Sequence, residues 1–472
     1  MTLSEPTIIS QEAPNPHRFW WLKRIAVLVL VALAGLTVLR WLWAREADRR
    51  SAALIADAKA RGEPILPEDF EAAKVPDADN AAILFSQAAS VLVLSPAFGK
   101  LQTPDEDKPL TARQSQLVAS ALAANRQGLN LARQASTRPS ASWSYPDYSR
   151  ALSTWRIGQR DLGRLLYRAA IYNHQQSDDR ESLRLANDLL RQASAMDSGS
   201  VSFLTRVVAM LSESNAVDIV HRVARDPTFR REDFTPDLRQ QIRDLIDLLL
   251  KEDLYHRADV RATFSLRHPM VDTARQADQM FTAIEDNALM PMFKLDATRN
   301  AVRFGKIARA MEATTWPAAS AMLPPNETIL GPNLFRMTRL VSVLNSFDFT
   351  ERLRRVYEFA TERRAAAIEL SIRVYRFDHD SQYPRQLEDL VPNYLPTIPR
   401  DAMASGDRGF EYRPDARPPI IYSVGNNGKD DGGIGASQSR NARWNSLDAV
   451  FPLERLPGPT TRHASRQTQN HQ

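Results

Sequence analysis

The sequence predicts a mostly α-helical protein with an N-terminal transmembrane helix, an irregular α-helical bundle or helical-hairpin array, and a small α+β C-terminal module with a short antiparallel sheet. Three observations support this fold class. They are an uncharged apolar run near the N-terminus, helical periodicity from residue 77 to residue 367, and strand-like runs that occur only after residue 409. The 472 residues exceed the length of one typical domain, so we expect two or more folded units.

The composition excludes several classes of protein. With 43% hydrophobic and 25% charged residues the chain is globular rather than disordered throughout. There is no cysteine, which excludes disulfides, cysteine zinc sites, iron–sulfur clusters and thiol nucleophiles. The net charge of +5 is small, and acidic residues accompany the arginines, as in Arg160-Asp161 and Arg225-Asp226. Interspersed charges are typical of a solvated surface, so we expect no nucleic-acid partner.

The first predicted element is a membrane-spanning helix at residues 25–43. Ile25–Leu39 contains no charged residue, and as a helix residues 25–43 would extend ~28 Å at ~1.5 Å per residue, close to the hydrocarbon thickness of a bilayer. Trp20 and Trp21 precede the run, and Trp41 and Trp43 close it, as expected at two lipid–water interfaces. The lipid bilayer is therefore the first predicted partner.

Two alternatives apply to this segment. Ala32-Leu33-Ala34 fits the small-residue pattern of a signal-peptide cleavage site, although that cut would leave only a short apolar region behind a long leader. A buried core helix is less favoured, because four tryptophans would need partners. Residues 1–24, with three prolines, are predicted to be a flexible tail.

The helical domain is predicted at residues 44–315. The anchor helix should continue to Ala60 and end at the Gly/Pro punctuation of Arg61–Pro64. Asp178 is placed to accept hydrogen bonds from first-turn amides of its helix. No tetratricopeptide-like period recurs. The other predicted helices are a segment capped by Asp77 or Asp79 that ends at Leu94, Thr111–Ala135, Leu152–Asn173, Asp178–Met196, Val201–Ala224, Pro236–Lys251, Asp272–Asp286 and Ala297–Ala313.

In the C-terminal part of the chain the hydrophobic periodicity changes from helical to strand-like. Residues 316–349 contain repeated prolines and are predicted to be a long loop or a domain boundary. A long helix at Thr350–Arg376 opens the module of residues 350–456. Strand-like runs follow at Phe410–Tyr412, Ile420–Val424 and Leu447–Phe451. The polar residues 457–472 are predicted to be a disordered tail.

The order of motifs in this module resembles the head of the type II secretion major pseudopilins. The resemblance covers about a hundred of the 472 residues. No single motif is specific to the family, and the specificity lies in the order of the motifs. They are Tyr375, Asp380, Tyr383-Pro384, Leu387 to Pro392, Ile398 to Asp401, Glu411-Tyr412, Tyr422 to Gly428 and Asp430 to Gly433. The family's N-terminal cleavage motif is missing around Ile25, so we expect a protein that carries such a head rather than a filament subunit.

The resemblance implies a calcium site in the C-terminal loop. Its candidate ligands are Asn427, Asp430, Asp431 and Asp448, and calcium prefers oxygen ligands of this kind. Asn427 stands where the family usually has Asp, and Ser446 replaces one closing carboxylate, so weaker binding is expected. The alternatives are a hydrated loop that binds no ion and, for Asp448, an ordinary residue at a strand end.

No catalytic motif is found, so we expect a protein that is not an enzyme. Metalloprotease, hydrolase, phosphate-loop and dinucleotide-binding signatures are all missing from the sequence. Asp378-His379-Asp380 is the one cluster able to position a general base. A helix C-terminus also favours a histidine there, so a capping role is the simpler interpretation.

The function predicted from the sequence is a structural or protein-interaction role in the cell envelope, possible partners being secretion or pilus components. Basic residues flank the anchor almost equally, and the resemblance favours an N-terminus in the cytoplasm and a body outside it. The predicted location is the inner membrane, with a single span and a periplasmic body. Alternatives are a membrane-tethered enzyme and a ligand-binding sensor.

Overall fold

The computed structural model shows the mostly α-helical fold that the sequence predicts, with a three-stranded antiparallel sheet near the C-terminus. The residues that it describes are 20–70, 73–102, 108–143, 151–198, 203–229, 233–267, 270–271, 290–325, 349–435 and 439–455. The predicted helix Asp272–Asp286, the N-terminal residues 1–19 and the tail at residues 457–472 lie outside these ranges.

The helices and strands follow in chain order. The helices are α1 (Trp20–Ala60), α2 (Ala81–Ser90), α3 (Pro96–Gly99), α4 (Ala112–Ala124), α5 (Arg126–Ser136), α6 (Ala151–Gln175), α7 (Asp179–Ser198), α8 (Phe203–Arg225), α9 (Pro236–Leu249), α10 (Glu252–Ser265), α11 (Met290–Ala310), α12 (Trp316–Met322), α13 (Phe349–Asp378) and α14 (Arg440–Trp444). The strands are β1 (Glu411–Arg413), β2 (Ile420–Ser423) and β3 (Ala449–Pro452).

Several predicted boundaries agree with the structure. The first helix ends at Ala60, and Gly62 follows it with a φ of 68°, a conformation that glycine adopts without strain. It begins at Trp20, so residues 20–24 are helical and do not belong to the predicted tail. At the start of α7, the amide of Glu181 donates to the Asp178 carboxylate over 3.0 Å, as the capping pattern predicts.

The structure differs from the prediction at several helix ends. The predicted helix Thr111–Ala135 is two helices that are separated at Asn125. The buried side chain of Asn125 accepts from the Val93 amide over 2.7 Å and donates to the Val93 carbonyl over 2.9 Å. Helix α2 is capped by Asn80 rather than by Asp77 or Asp79, and the sequence does not predict α3, α10, α12 and α14.

The helix α13 lies at the centre of the molecule. It packs on α8 and α9, and Ala365, Ala366, Ala367 and Ile368 are fully buried. One contiguous apolar core includes these residues, the α6–α8 helices and the sheet residue Phe451. The helical body and the C-terminal sheet therefore share a core.

The sheet has the order β1-β2-β3, with both neighbouring pairs antiparallel. Tyr422 lies opposite Glu411 on one side and Val450 on the other. In the loop that precedes the sheet, the buried Asp401 accepts from the Ser423 hydroxyl over 2.9 Å and from the Val424 amide over 3.0 Å. Asp401 thereby fixes the end of β2, from which the C-terminal loop departs.

A network of buried ions connects helices inside the body. Arg206 on α8 contacts Asp197 over 2.8 Å and Asp259 over 2.6 Å, and it also pairs with Glu213. Glu213 in turn accepts from Arg363 of α13 over 3.0 Å. Buried charges of this kind persist only when they are paired, so the network fixes α7, α8, α10 and α13 relative to one another.

Candidate functional site: the anchor junction and the C-terminal loop

The first half of α1 is an exposed apolar helix. Its most apolar window has a mean hydropathy of 2.4, and none of that window is buried against the rest of the protein. Within the part of the chain that the structure describes, α1 is the one helix long and apolar enough to cross a membrane. Transfer of this much apolar surface out of water is strongly favourable. A lipid environment would therefore account for an apolar helix that the rest of the protein leaves exposed.

The second half of the same helix belongs to the folded body. Ala47, Ser51, Leu54 and Ala58 are buried, and they recur at intervals of three and four residues, which places them on one face of the helix. Leu54 and Ala58 share a small apolar cluster with Ala301 on α11. One uninterrupted helix thus contains the candidate membrane span and a packing surface for the body.

Directly after α1, three arginines surround a single carboxylate. Glu63 accepts from Arg61 over 2.6 Å, from Arg267 over 2.7 Å and from Arg309 over 2.8 Å. Its side chain is only 7% exposed. Gly305 on α11 leaves room for this contact, because a Cβ atom there would lie 3.1 Å from the guanidinium carbon of Arg267. We call Glu63 and its three arginines the junction cluster.

The ionisation of Glu63 is strongly favoured in the folded protein. Burial acts to raise its pKa, but hydrogen bonds from Arg61, Arg309 and Arg267 outweigh that effect and lower the pKa to about 2. The carboxylate therefore stays charged at every physiological pH, and the junction is held by charge-assisted hydrogen bonds.

The second candidate site is the C-terminal loop, where the buried Asp448 is the central residue. Its carboxylate accepts from the amides of Gly433 over 2.8 Å, Asp431 over 3.2 Å and Ile434 over 3.2 Å. Burial raises the pKa of Asp448, while these amide hydrogen bonds lower it. The loop is thus wrapped around one carboxylate, which explains why an acidic residue stands at the start of β3.

The other predicted calcium ligands also have partners within the protein. Asp430 accepts from Arg408 over 2.6 Å and from the Tyr422 hydroxyl over 3.1 Å. The amide hydrogen bond from Gly432 and the contact with Arg408 lower the pKa of Asp430.

Asn427 donates to Asp431 over 2.7 Å, and its side-chain oxygen accepts from the Lys429 amide over 2.8 Å. The structure therefore brings Asn427, Asp431 and Asp448 together but directs Asp430 toward Arg408.

The predicted calcium site is described by these contacts alone. Among the described residues no group of three or more histidine or acidic side chains is placed to hold a metal. Calcium binding stays a prediction, which titration of the full chain with calcium chloride can test.

The cluster around His379 has the geometry of a helix end. The ring of His379 stacks on Tyr375 with centroids 3.8 Å apart, and its Nδ1 lies 2.9 Å from the Tyr375 carbonyl oxygen. Asp378 is paired with Arg239 and accepts from the Tyr394 hydroxyl over 3.0 Å. Hydrogen bonding to the last turn of α13 is the capping role that the sequence favours for His379.

The junction cluster was missed by sequence reasoning. From the sequence, Glu63 is only part of the Gly/Pro punctuation that follows the first helix. Its partners Arg267 and Arg309 lie more than 200 positions away, and no local spacing could connect them to it.

Comparison with protein-family models, with curated proteins and with solved structures finds no match to this chain.

Proposed function

We propose that this chain is a single-pass membrane protein that holds a helical body at the surface of the inner membrane, where the body docks other proteins of the cell envelope. The observation that carries the proposal is the continuity of α1, whose exposed apolar half runs directly into a half that packs on the body. An anchor joined by a flexible linker would only keep the protein nearby. An unbroken helix also fixes the orientation of the body.

The two ends of the apolar segment support a position across the bilayer. The Arg24 guanidinium lies 3.6 Å from the ring centroid of Trp20, and that of Arg45 lies 5.3 Å from the ring of Trp41. Tryptophan rings with adjacent cations suit the headgroup region. Trp21 and Trp41 are 20 residues apart, which corresponds to ~30 Å of helix.

The partners that we propose are envelope proteins, and secretion or pilus components among them. This part of the proposal rests on the pseudopilin-like order of motifs in residues 350–456. The long helix and three antiparallel strands that follow it are compatible with that resemblance. In the orientation that we propose, the N-terminus lies in the cytoplasm and the body in the periplasm.

The membrane part of the proposal is tested by carbonate extraction of cell membranes, followed by intact-mass measurement of the chain. We expect the uncut chain in the membrane pellet. Release into the supernatant, or a chain that begins after Ala34, would contradict the anchor. A periplasmic reporter fused after Arg50 should be active, and activity of a cytoplasmic reporter at the same position would overturn the orientation.

The docking part needs an experiment that leaves the fold intact, because α13 belongs to the common core and removal of residues 350–472 would unfold it. A photo-crosslinking amino acid at the exposed Lys429 in the C-terminal loop should give a discrete adduct in cells. The exposed Lys306 on α11 serves as the matched position. If Lys429 gives no adduct, or the same adducts as Lys306, docking through this module is wrong.

A further inference from the structure

A basic cavity lies where α6 and α8 end. It has a volume of about 230 Å³ and is bounded by the last turns of both helices, by the segment at Lys108 and by Arg455 after β3. This volume is below the ~300 Å³ at which pockets for drug-sized ligands begin. The cavity therefore suits a small molecule or a single chemical group.

The charge of the lining is strongly one-sided. Four cationic side chains, Lys108, Arg222, Arg225 and Arg455, line the cavity together with His174. Among the described lining residues the one carboxylate is Asp226, which pairs with Arg455 over 3.2 Å. Like charges gathered around a small volume repel one another, so the arrangement favours a bound anion.

The acidic partners of the two helical arginines lie outside this lining. Arg222 pairs over 2.8 Å with Asp218, one turn earlier on α8, and the Nη2 atom of Arg225 lies 3.7 Å from Glu369 on α13. These carboxylates hold the arginines in place without lining the cavity. Both guanidinium groups are therefore positioned before any ligand enters.

Capping of α8 does not explain the basic cluster. Cations are common at helix C-termini because they interact with the last carbonyl groups. Here that role belongs to Arg373 of α13, which donates to the Ala224 carbonyl over 2.7 Å and to the Arg225 carbonyl over 3.4 Å. Arg373 is not among the residues that line the cavity.

Polar groups of the cavity wall are also held in place. The Asp179 carboxylate contacts His174 Nδ1 over 2.5 Å and accepts from the Thr228 amide over 2.5 Å. The Thr228 hydroxyl oxygen is buried and has no hydrogen-bond partner among the described residues. A buried hydroxyl without a partner is unfavourable.

We propose that this cavity binds a phosphate group. Guanidinium groups match the geometry of phosphate oxygens, and a doubly charged group suits a lining with four cations better than a single carboxylate does. The group can belong to free inorganic phosphate or to a small phosphate monoester. This site is independent of the docking role proposed above.

The test is calorimetric titration of the full chain in detergent with inorganic phosphate, glycerol 3-phosphate and acetate, at matched ionic strength. The variant Lys108→Ala/Arg455→Ala removes two exposed cations from the lining and leaves Arg222 and Arg225 unchanged. We expect its phosphate affinity to fall about tenfold or more.

The control is Lys306→Ala/Arg413→Ala, which removes one exposed lysine and one exposed arginine elsewhere. It should bind phosphate as the wild type does. Tighter binding of inorganic phosphate than of glycerol 3-phosphate identifies free phosphate as the source of the group, and the reverse order identifies a phosphate monoester. No binding of either compound, equal affinity in the two double variants, or acetate binding as tight as phosphate binding would overturn the proposal.

Discussion

At the residue scale, Glu63 joins three parts of the chain that are far apart in sequence. Its carboxylate contacts Arg61 after the anchor helix, Arg267 after α10 and Arg309 on α11. Glu63→Gln keeps the shape of the side chain but removes its charge. We expect a loss of about 2–3 kcal/mol in the free energy of unfolding, because charge-assisted hydrogen bonds are lost and the buried cation of Arg267 remains.

Denaturant unfolding of the full chain in detergent measures this loss. Glu312→Gln, an exposed glutamate beyond the end of α11, is the matched control and should change the stability by less than about 0.5 kcal/mol. If both variants unfold at the same denaturant concentration, the junction cluster does not hold the body to the anchor.

The same residue predicts a pH dependence. The folded-state pKa of Glu63 is lowered from 4.5 to about 2, so its contribution to stability is complete above pH 4.5 and is lost as the pH falls toward 2. The Glu63→Gln variant lacks this titration, so the stability difference between the two proteins should shrink over that window. A difference that stays constant from pH 5 to pH 2.5 would contradict the assignment.

Asp448 is predicted to hold the C-terminal loop closed. Asp448→Ala removes the acceptor for the amides of Asp431, Gly433 and Ile434, and the loss of these part-buried hydrogen bonds to a charged group should cost about 1–3 kcal/mol. Hydrogen exchange should therefore accelerate at these amides. Asp415→Ala, an exposed acidic residue after β1, should leave their exchange unchanged, and equal rates in both variants would show that Asp448 has no such role.

At the element scale, the Arg206 network joins four helices. Arg206→Met preserves much of the volume but leaves Asp197, Glu213 and Asp259 without their central cation. We expect a loss of about 3–5 kcal/mol, the usual cost of removing one partner from a buried ion pair. The measurement is denaturant unfolding with the exposed Arg126→Met as control, and a loss below about 1 kcal/mol would show that the acids find other partners.

Helices and strands were predictable from the sequence where their signals are local. The end of α1 before Gly62 and the cap of α7 at Asp178 follow from neighbouring residues. The break between α4 and α5 does not, because Asn125 forms its hydrogen bonds with Val93, which is 32 positions away. The same limit applies to the junction cluster, whose arginines meet Glu63 only through the tertiary fold.

The candidate site in the C-terminal loop was predictable in part. The pseudopilin resemblance groups Asp448 with the glycine-rich loop, and in the structure the Asp448 carboxylate accepts from the Asp431 amide over 3.2 Å. The sequence could not show that Arg408 pairs with Asp430, nor that backbone amides donate hydrogen bonds to the Asp448 carboxylate. Such partners are determined by side-chain directions in the folded loop, which residue type and spacing do not reveal.

At the scale of the whole molecule, the continuous core predicts cooperative unfolding. The sequence suggested separate units at residues 44–315 and 350–456, and core residues from both belong to one cluster. Native-state hydrogen exchange should therefore give opening free energies for the amides of β2 and α8 that agree within about 1 kcal/mol. Opening of β2 at a free energy several kcal/mol below that of α8 would show that the sheet unfolds independently.

The uninterrupted α1 helix has a geometric consequence for the body that it carries. Each residue added between Trp43 and Ala47 would rotate everything downstream by about 100° around the helix axis and raise it by ~1.5 Å. In the membrane position proposed above, helical phase therefore sets which side of the protein faces a neighbour in the membrane plane. One inserted alanine would turn that side away, and an insertion of seven, close to two full turns, would restore its direction at a greater height.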